Sequence, residues 1–340
     1  MKTSSTESGF KFNRRKFLAN TSALGAASFL GLPRIAAAEP PPEITRIRIA
    51  RVPVICFAPQ FVAEALLHLE GFSEVEYVNA ENDIPSTLAT KSDLAMFGGP
   101  SLLPAIDNGF PISAIAGLHE GCWELFAHEP VHTMLDLVGR SIAIGQLGGV
   151  DHVWLSSMFA YVGIDPRTEI EWVTTVKWKD KMRLYLDGKV DAFLAFPPEP
   201  QDLRASNVGQ VIIDTTNDRP WSQYFCCMVG ARNEFIEKNP IATKRALRAI
   251  LKAADICSQD PEQAARFLVE RGYEPRYDIA LEVLKSLSYD RWRTDDPTDT
   301  MRFHSLRLRE AGMIKSTPQE IIKRGSNFTF LNELKRELKA

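Results

Sequence analysis

Asp93-Leu94-Ala95-Met96-Phe97-Gly98-Gly99-Pro100-Ser101 (DLAMFGGPS) is the stretch on which the fold turns. A short apolar run of strand length stops at two glycines, a proline and a serine, and a helical pattern through Asp107 follows. A buried strand that ends in a glycine-rich loop and opens a helix is the repeating unit of an α/β sheet. Working outward, residues 46–52 (RIRIARV) alternate apolar and basic side chains as a first strand, and residues 61–69 carry helical spacing. Residues 75–78 form a second strand, 83–90 a short helix that Asp83 can cap, and 112–116 a fourth strand. The rhythm then repeats with strands at 141–145, 170–173, 191–196 and 211–213 and helices at 153–162 and 179–186. From Pro240 onward the chain reads as helices, with Asn239 and Asp260 each placed as a cap before a proline at the first helical position. The expected class is α/β, a mostly parallel, doubly wound sheet repeated in two units with a helical C-terminal segment.

The N-terminus reads as an address. Asn13-Arg14-Arg15-Lys16-Phe17-Leu18 is a twin-arginine pattern, and a weakly apolar run at 23–32 leads to the small residues Ala36-Ala37-Ala38. That run is about ten residues, against the roughly twenty that span a bilayer. The expectation is a signal peptide over residues 1–38, cleavage near Ala38 with no lipid anchor, and a mature periplasmic chain from Glu39. Six basic residues and one acid fall within 1–38, so a whole-chain charge of −3 becomes −8 for the remainder. An acidic surface argues against nucleic acid or anionic lipid as a partner.

Reactive constellations are scarce. The chain has no GxSxG, HExxH, GxxxxGK[ST] or GxGxxG. The six histidines are scattered; His128 and His132 lie four apart but straddle Pro130. Cys56, Cys122, Cys226, Cys227 and Cys257 form no CxxC and show no metal-ligand spacing, so they read mainly as small buried apolar residues. No catalytic residue, metal or cofactor is expected.

Loops at the C-terminal ends of the strands are instead rich in aromatics, glycines and isolated polar residues, and ligands of open α/β sheets sit just outside those ends. The candidates are Phe57, Gln60, Gly99, Ser101, Trp123, Glu124, Gln146, Gly149, Asp151, His152, Phe196, Glu199, Trp221 and Tyr224. Each has a plainer alternative: Asp151 as a helix cap, His152 as a polar residue at a helix start, Gly148-Gly149 as a turn. Trp123 and Trp221 also suit a core, and Glu199 a solvated acid. Six such loops in series carry more weight than any one of them.

Read together, residues 93–101, Gly139-Arg140-Ser141-Ile142-Ala143-Ile144-Gly145 through His152, Gly188-Lys189-Val190-Asp191-Ala192-Phe193, and Asn233-Glu234-Phe235-Ile236-Glu237-Lys238-Asn239-Pro240 give the chain a family likeness. It resembles the periplasmic solute-binding proteins of ABC importers for nitrate, sulfonates, taurine and thiamine-pyrimidine precursors. The resemblance implies a type II periplasmic-binding fold. One lobe would combine residues 44–125 with 228–340, the other would be 130–220, and hinge crossings would lie near 125–131 and 214–225. It also implies a small-molecule ligand, a membrane permease as partner, and a monomer. Trp221-Ser222-Gln223-Tyr224 would then face the cleft at the hinge. A branch of the same superfamily, the thiamine-pyrimidine synthases, carries a cysteine-rich run opposite residues 221–225. This chain has no cysteine at those positions, which points away from enzymatic activity. The ligand stays open between a planar, partly cationic compound and a sulfonate or carboxylate, and transport and sensing stay equally open.

Overall fold

Strand β1 (Arg46–Arg51) alternates in space as it does in sequence: Ile47 and Ile49 are buried, while Arg46 lies in solvent. The structure, a computed structural model, describes residues 39–80, 83–175, 177 and 180–339, so the expected signal segment 1–38 lies outside the described residues. Beside β1 run β2 (Glu74–Asn79) and β3 (Leu94–Gly98), both parallel to it. Strand β4 (Ile112–Glu120) is buried along its whole length, as β3 is, which is why both read as continuous apolar runs.

The chain then leaves this sheet. Strands β5 (Glu124–Ala127), β6 (Ser141–Ile144), β7 (Glu171–Thr174), β8 (Ala192–Ala195) and β9 (Gln210–Asp214) build a second one in the order β7-β6-β8-β5-β9. Strand β10 (Phe225–Arg232) returns to complete the first, whose order is β2-β1-β3-β10-β4. Both sheets are mixed rather than purely parallel: β10 is antiparallel to β3 and β4, and β5 is antiparallel to β8 and β9. The strand that changes sheet is the one that reverses direction, because it is reached without a helical crossover.

The two passages between the sheets run side by side. Thr215 N–H donates to the Trp123 carbonyl at 2.9 Å, Trp123 N–H to Thr215 Oγ1 at 3.0 Å, and Cys122 N–H to Thr216 Oγ1 at 3.3 Å. Gly121 sits where they touch, at φ +71°, and a Cβ there would stand 2.7 Å from the Thr216 Cα. Only glycine fits that approach.

Helices α1 (Ala58–Val62), α2 (Glu64–Leu69), α3 (Ile84–Thr90) and α4 (Leu103–Asp107) connect strands of the first sheet. Helices α5 (Val150–Tyr161), α6 (Asp180–Leu186) and α7 (Glu199–Ser206) belong to the second. The C-terminal third follows as α8 (Asn233–Lys238), α9 (Pro240–Gln259), α10 (Pro261–Glu270), α11 (Tyr277–Ser286), α12 (Pro297–Glu310), α13 (Pro318–Gly325) and α14 (Thr329–Glu337). Asp83 and Asp260 cap α3 and α10 as expected, each accepting from a backbone N–H in the first turn. Asn239 does not cap α9; the Glu43 carboxylate takes the Ile241 and Ala242 N–H groups at 2.9 and 2.8 Å. A carboxylate from a distant segment meets the same need and adds its charge to the positive helix end. Among the described residues no helix is long and apolar enough to cross a membrane.

Candidate functional site

Helix α5 decides the geometry between the sheets. Its residues from Val153 to Phe159 are all buried, which no amphipathic surface helix shows. One side belongs to the second sheet, and the other lies against the first. A Cβ on Gly98, at the end of β3, would stand 2.9 Å from Trp154 Nε1. Ser157 Oγ and His304 Nδ1 on α12 are 2.8 Å apart, the Trp154 and His304 rings meet edge-on at 4.9 Å, and Tyr161 meets Phe303 at 5.8 Å. Outside this seam, Arg276 donates to Asp202 on α7 at 2.5 Å. The two sheets are therefore closed on one another along α5.

Two aromatic groups flank that helix. Trp123, from the first passage, lies 6.2 Å from Trp154 and 5.2 Å from Phe196 at the end of β8. Two turns further along, Trp221 from the second passage meets Tyr161 edge-on at 5.7 Å, and Tyr224 stacks on Phe303 at 4.2 Å. Trp123 and Trp221 are thus both at the seam but against different turns of α5. Both are buried, and the Trp154 and Trp221 Nε1–H groups and His304 Nε2 have no hydrogen-bond partner. Burial holds His304 neutral, its pKa down at about 3. Buried polar atoms without partners are uncommon and costly.

The remaining predicted residues divide. Phe57 is buried beside Cys56 at the end of β1, and Ser101 bonds its own turn through Gly98 O at 2.6 Å. Gly99 faces backbone, with a Cβ only 2.5 Å from the Phe225 carbonyl. Gln60 is turned into the first sheet, its Oε1 accepting from Met96 N–H at 3.3 Å while its Nε2 has no partner. Glu124 is bound by Arg204 on α7. Gln146 is exposed on the loop before α5, and Gly149 is the half-buried cap of that helix.

Asp151 is neither a helix cap nor an open acid. It is fully buried, accepts the Gly145 and His152 N–H groups at 2.8 and 2.9 Å, and forms a 2.9 Å ion pair with the equally buried Lys181. His152 Nδ1 accepts from Gly148 N–H at 2.9 Å, and its ring meets Trp172 edge-on at 4.8 Å. Glu199 accepts from Phe196 N–H at 3.2 Å, and burial raises its pKa to about 7. Burial raises Glu120, at the end of β4, to about 7 as well, although Arg291 donates to it. A hollow of about 250 Å³ lined by Glu120, Thr216, Ser222, Ser288 and Arg291 adjoins the passages. A larger one, about 470 Å³, opens beside Arg46, Arg48 and Glu76, away from the C-terminal strand ends, and holds none of the predicted residues.

Sequence reasoning missed Trp154, His304, Arg291 and Lys181. A tryptophan in the first turns of the helix after Gly148-Gly149 was a usable signal for Trp154; nothing local marks the other three. It also missed a convergence of sulfur. Cys56 follows β1, Cys122 lies in the first passage, and Cys226 and Cys227 open β10, yet the four thiols meet in one buried group.

A mixed sheet on either side of two crossings, with strand ends facing a shared seam, is the architecture of the periplasmic binding proteins. Solved structures agree. The periplasmic nitrate-binding protein NrtA from Synechocystis PCC 6803 superposes with a TM-score of 0.70 at 16% identity, covering 88% of this chain and 90% of that one. The periplasmic aliphatic sulphonate binding protein SsuA from Escherichia coli does so at 0.64 and 18% identity, covering 84% and 93%. In sequence, the profile described as the NMT1-like family matches residues 125–269. A curated relative, the bicarbonate-binding protein CmpA of a Synechococcus strain, is 25% identical over 136 residues, 39% of this chain. That match spans 29% of CmpA, under a third of its length. The resemblance read from the sequence, to the solute-binding proteins of nitrate- and sulfonate-type importers, is borne out.

Proposed function

We propose that this chain is an exported solute-binding protein that captures a small organic molecule between two lobes and delivers it to the permease of an ABC importer. The observation that carries this reading is the seam along α5, where Trp154 Nε1, Trp221 Nε1 and His304 Nε2 are buried without partners between two sheets joined by two adjacent passages. Parting the sheets about those passages would expose these groups, and closure on a solute would give them something to hold. The ligand-binding set is drawn from Phe57, Trp123, Phe196, Trp221 and Tyr224, with Trp154 added. Flat apolar rings with a few N–H donors suit a planar solute. With Asp151 paired to Lys181 and the carboxyl of Glu199 pushed toward neutrality, donors prevail over free negative charge. That balance favours an acceptor-bearing molecule, an aromatic carboxylate or sulfonate or a neutral pyrimidine, over a cation.

The test is a thermal-shift screen across those three classes, followed by titration calorimetry of the best compound on wild type and Trp221→Ala. Truncating a buried aromatic anchor costs at least about 2 kcal/mol, roughly thirtyfold in affinity. Unchanged affinity in Trp221→Ala removes the seam from the site.

A further inference from the structure

We propose that Cys56, Cys122 and Cys227, with Cys226 beside them, form a binding site for a thiophilic closed-shell cation of the Zn2+ or Cu+ kind at the floor of the cleft. The Sγ atoms of the first three all lie within 4.8 Å of one another, with Cys227 and Cys56 at 4.0 Å. Cys226 Sγ is 3.0 Å from Cys122 Sγ. A metal about 2.3 Å from each of four tetrahedral sulfurs sets them about 3.8 Å apart. To reach that spacing the trio draws in from separations of up to 4.8 Å, and Cys226, outside the mutually close trio, moves off Cys122 and toward the other two sulfurs.

Buried cysteines usually serve as small apolar side chains. Three features separate these from that role. They come from three chain segments and meet sulfur to sulfur. Cys122 holds φ at +98°, a conformation a non-glycine residue adopts only at a cost. Beside it His119 is fully buried, and its Nδ1 bonds the Glu120 carbonyl at 2.9 Å. A carbonyl only accepts, so Nδ1 carries the proton, and Nε2 is a lone-pair nitrogen without a partner. Thiolate sulfur selects Zn2+ and Cu+ over hard cations. Each thiol that becomes a ligand releases one proton to solvent, and no oxidant or reductant is needed.

The site lies where the first passage meets β10, so a bound ion ties the first passage to the β1 loop and to the strand that follows the second. It does not depend on which solute the cleft takes.

The experiment uses the full chain, purified under reducing conditions and stripped of metal. Zn2+ and Cu+ are titrated separately against chromophoric chelators, and Co2+ serves as an optical probe. One equivalent should bind, Co2+ should show the charge-transfer and intense visible bands of a tetrahedral thiolate site, and the Zn2+ form should show a sulfur shell at about 2.3 Å by X-ray absorption. Cys122→Ser and Cys227→Ser should each lose at least about a hundredfold in affinity, the upper end of what losing a supporting group costs a metal site. Cys257→Ala, a buried thiol on α9 outside the group, should bind as wild type does. Circular dichroism and a cooperative melt establish that each variant is folded. Binding no tighter in wild type than in folded Cys122→Ser or Cys227→Ser overturns the proposal. So does a Cys122–Cys226 disulfide in the purified protein whose reduction restores no metal binding. Solute binding by a protein that takes no metal would end the metal proposal alone, and metal binding without response to any solute would end the transport reading alone.

Discussion

Asp151, a candidate ligand contact or helix cap in the sequence, is held in the structure by Lys181, which the sequence did not single out. Both are fully buried, and the pair, with two backbone N–H groups, satisfies the carboxylate at the positive end of α5. Breaking such a pair leaves an uncompensated buried charge and costs about 3–5 kcal/mol, whereas replacing both partners costs far less. Asp151→Asn and Lys181→Met should each lower the urea midpoint strongly, and the double variant should recover most of the loss. Additive single effects would show that the charges are not coupled. Glu199 is a second case. Its carboxyl titrates near 7 when folded against about 4.5 when unfolded, so the folded state holds the proton more tightly. Its contribution to stability is fully present below pH 4.5 and is lost as pH rises through 7. The buried His304, held down at about 3, works in the opposite sense, adding stability as pH rises toward 6.5. Comparison with Glu199→Gln isolates the first effect: the variant should gain on wild type between pH 5 and pH 8. A gap that stays constant across that interval would show that Glu199 ionises normally.

At the scale of elements, α5 is the part that both sheets share. Its helical pattern was legible from residue 153, and the structure begins it at Val150, one turn earlier in the glycine-rich loop. What the pattern did not tell is that both of its faces are covered. Gly98 makes the contact with Trp154 possible, and a methyl group there forces the indole away from β3. Gly98→Ala therefore acts as a wedge between the sheets, with an overpacking cost of about 1–3 kcal/mol felt mainly in the closed form. Small-angle scattering should show a larger radius of gyration, and solute affinity should fall about tenfold while unfolding stays cooperative. If both quantities match wild type, the α5 seam is not the surface that opens. By contrast β5 escaped notice, because four residues between two turns carry too little periodicity to separate strand from loop.

On the scale of the whole molecule, the first sheet is left after β4 for the consecutive strands β5–β9 of the second and completed by β10, and the two passages are joined by one backbone bond and by bonds to the Thr215 and Thr216 hydroxyls. On the proposed reading the sheets would stay intact as they part, the change in angle being absorbed by 121–123 and 215–224. The expected export signal gives the other prediction at this scale. If the twin-arginine pair is read by its translocase, Arg14→Lys together with Arg15→Lys should leave the full-length precursor in the cytoplasm. Fractionation and immunoblotting measure this, and a mature-sized product in the periplasm of the double variant would remove that route.

The amino-acid sequence by itself determined the order and kind of most elements, the strand-end loops and the fold class, because hydrophobic period, caps and glycine turns are properties of neighbours along the chain. The likeness in residues 93–101, 139–152, 188–193 and 233–240 rests on the same local features. Only the tertiary structure decided what those loops hold. Asp151 meets Lys181 across 30 residues, Ser157 meets His304 across 147, and Cys122 and Cys56 meet Cys226 and Cys227 across 104 and 171. Contacts of that range are set by how two sheets come together around α5, and no window of sequence contains both partners.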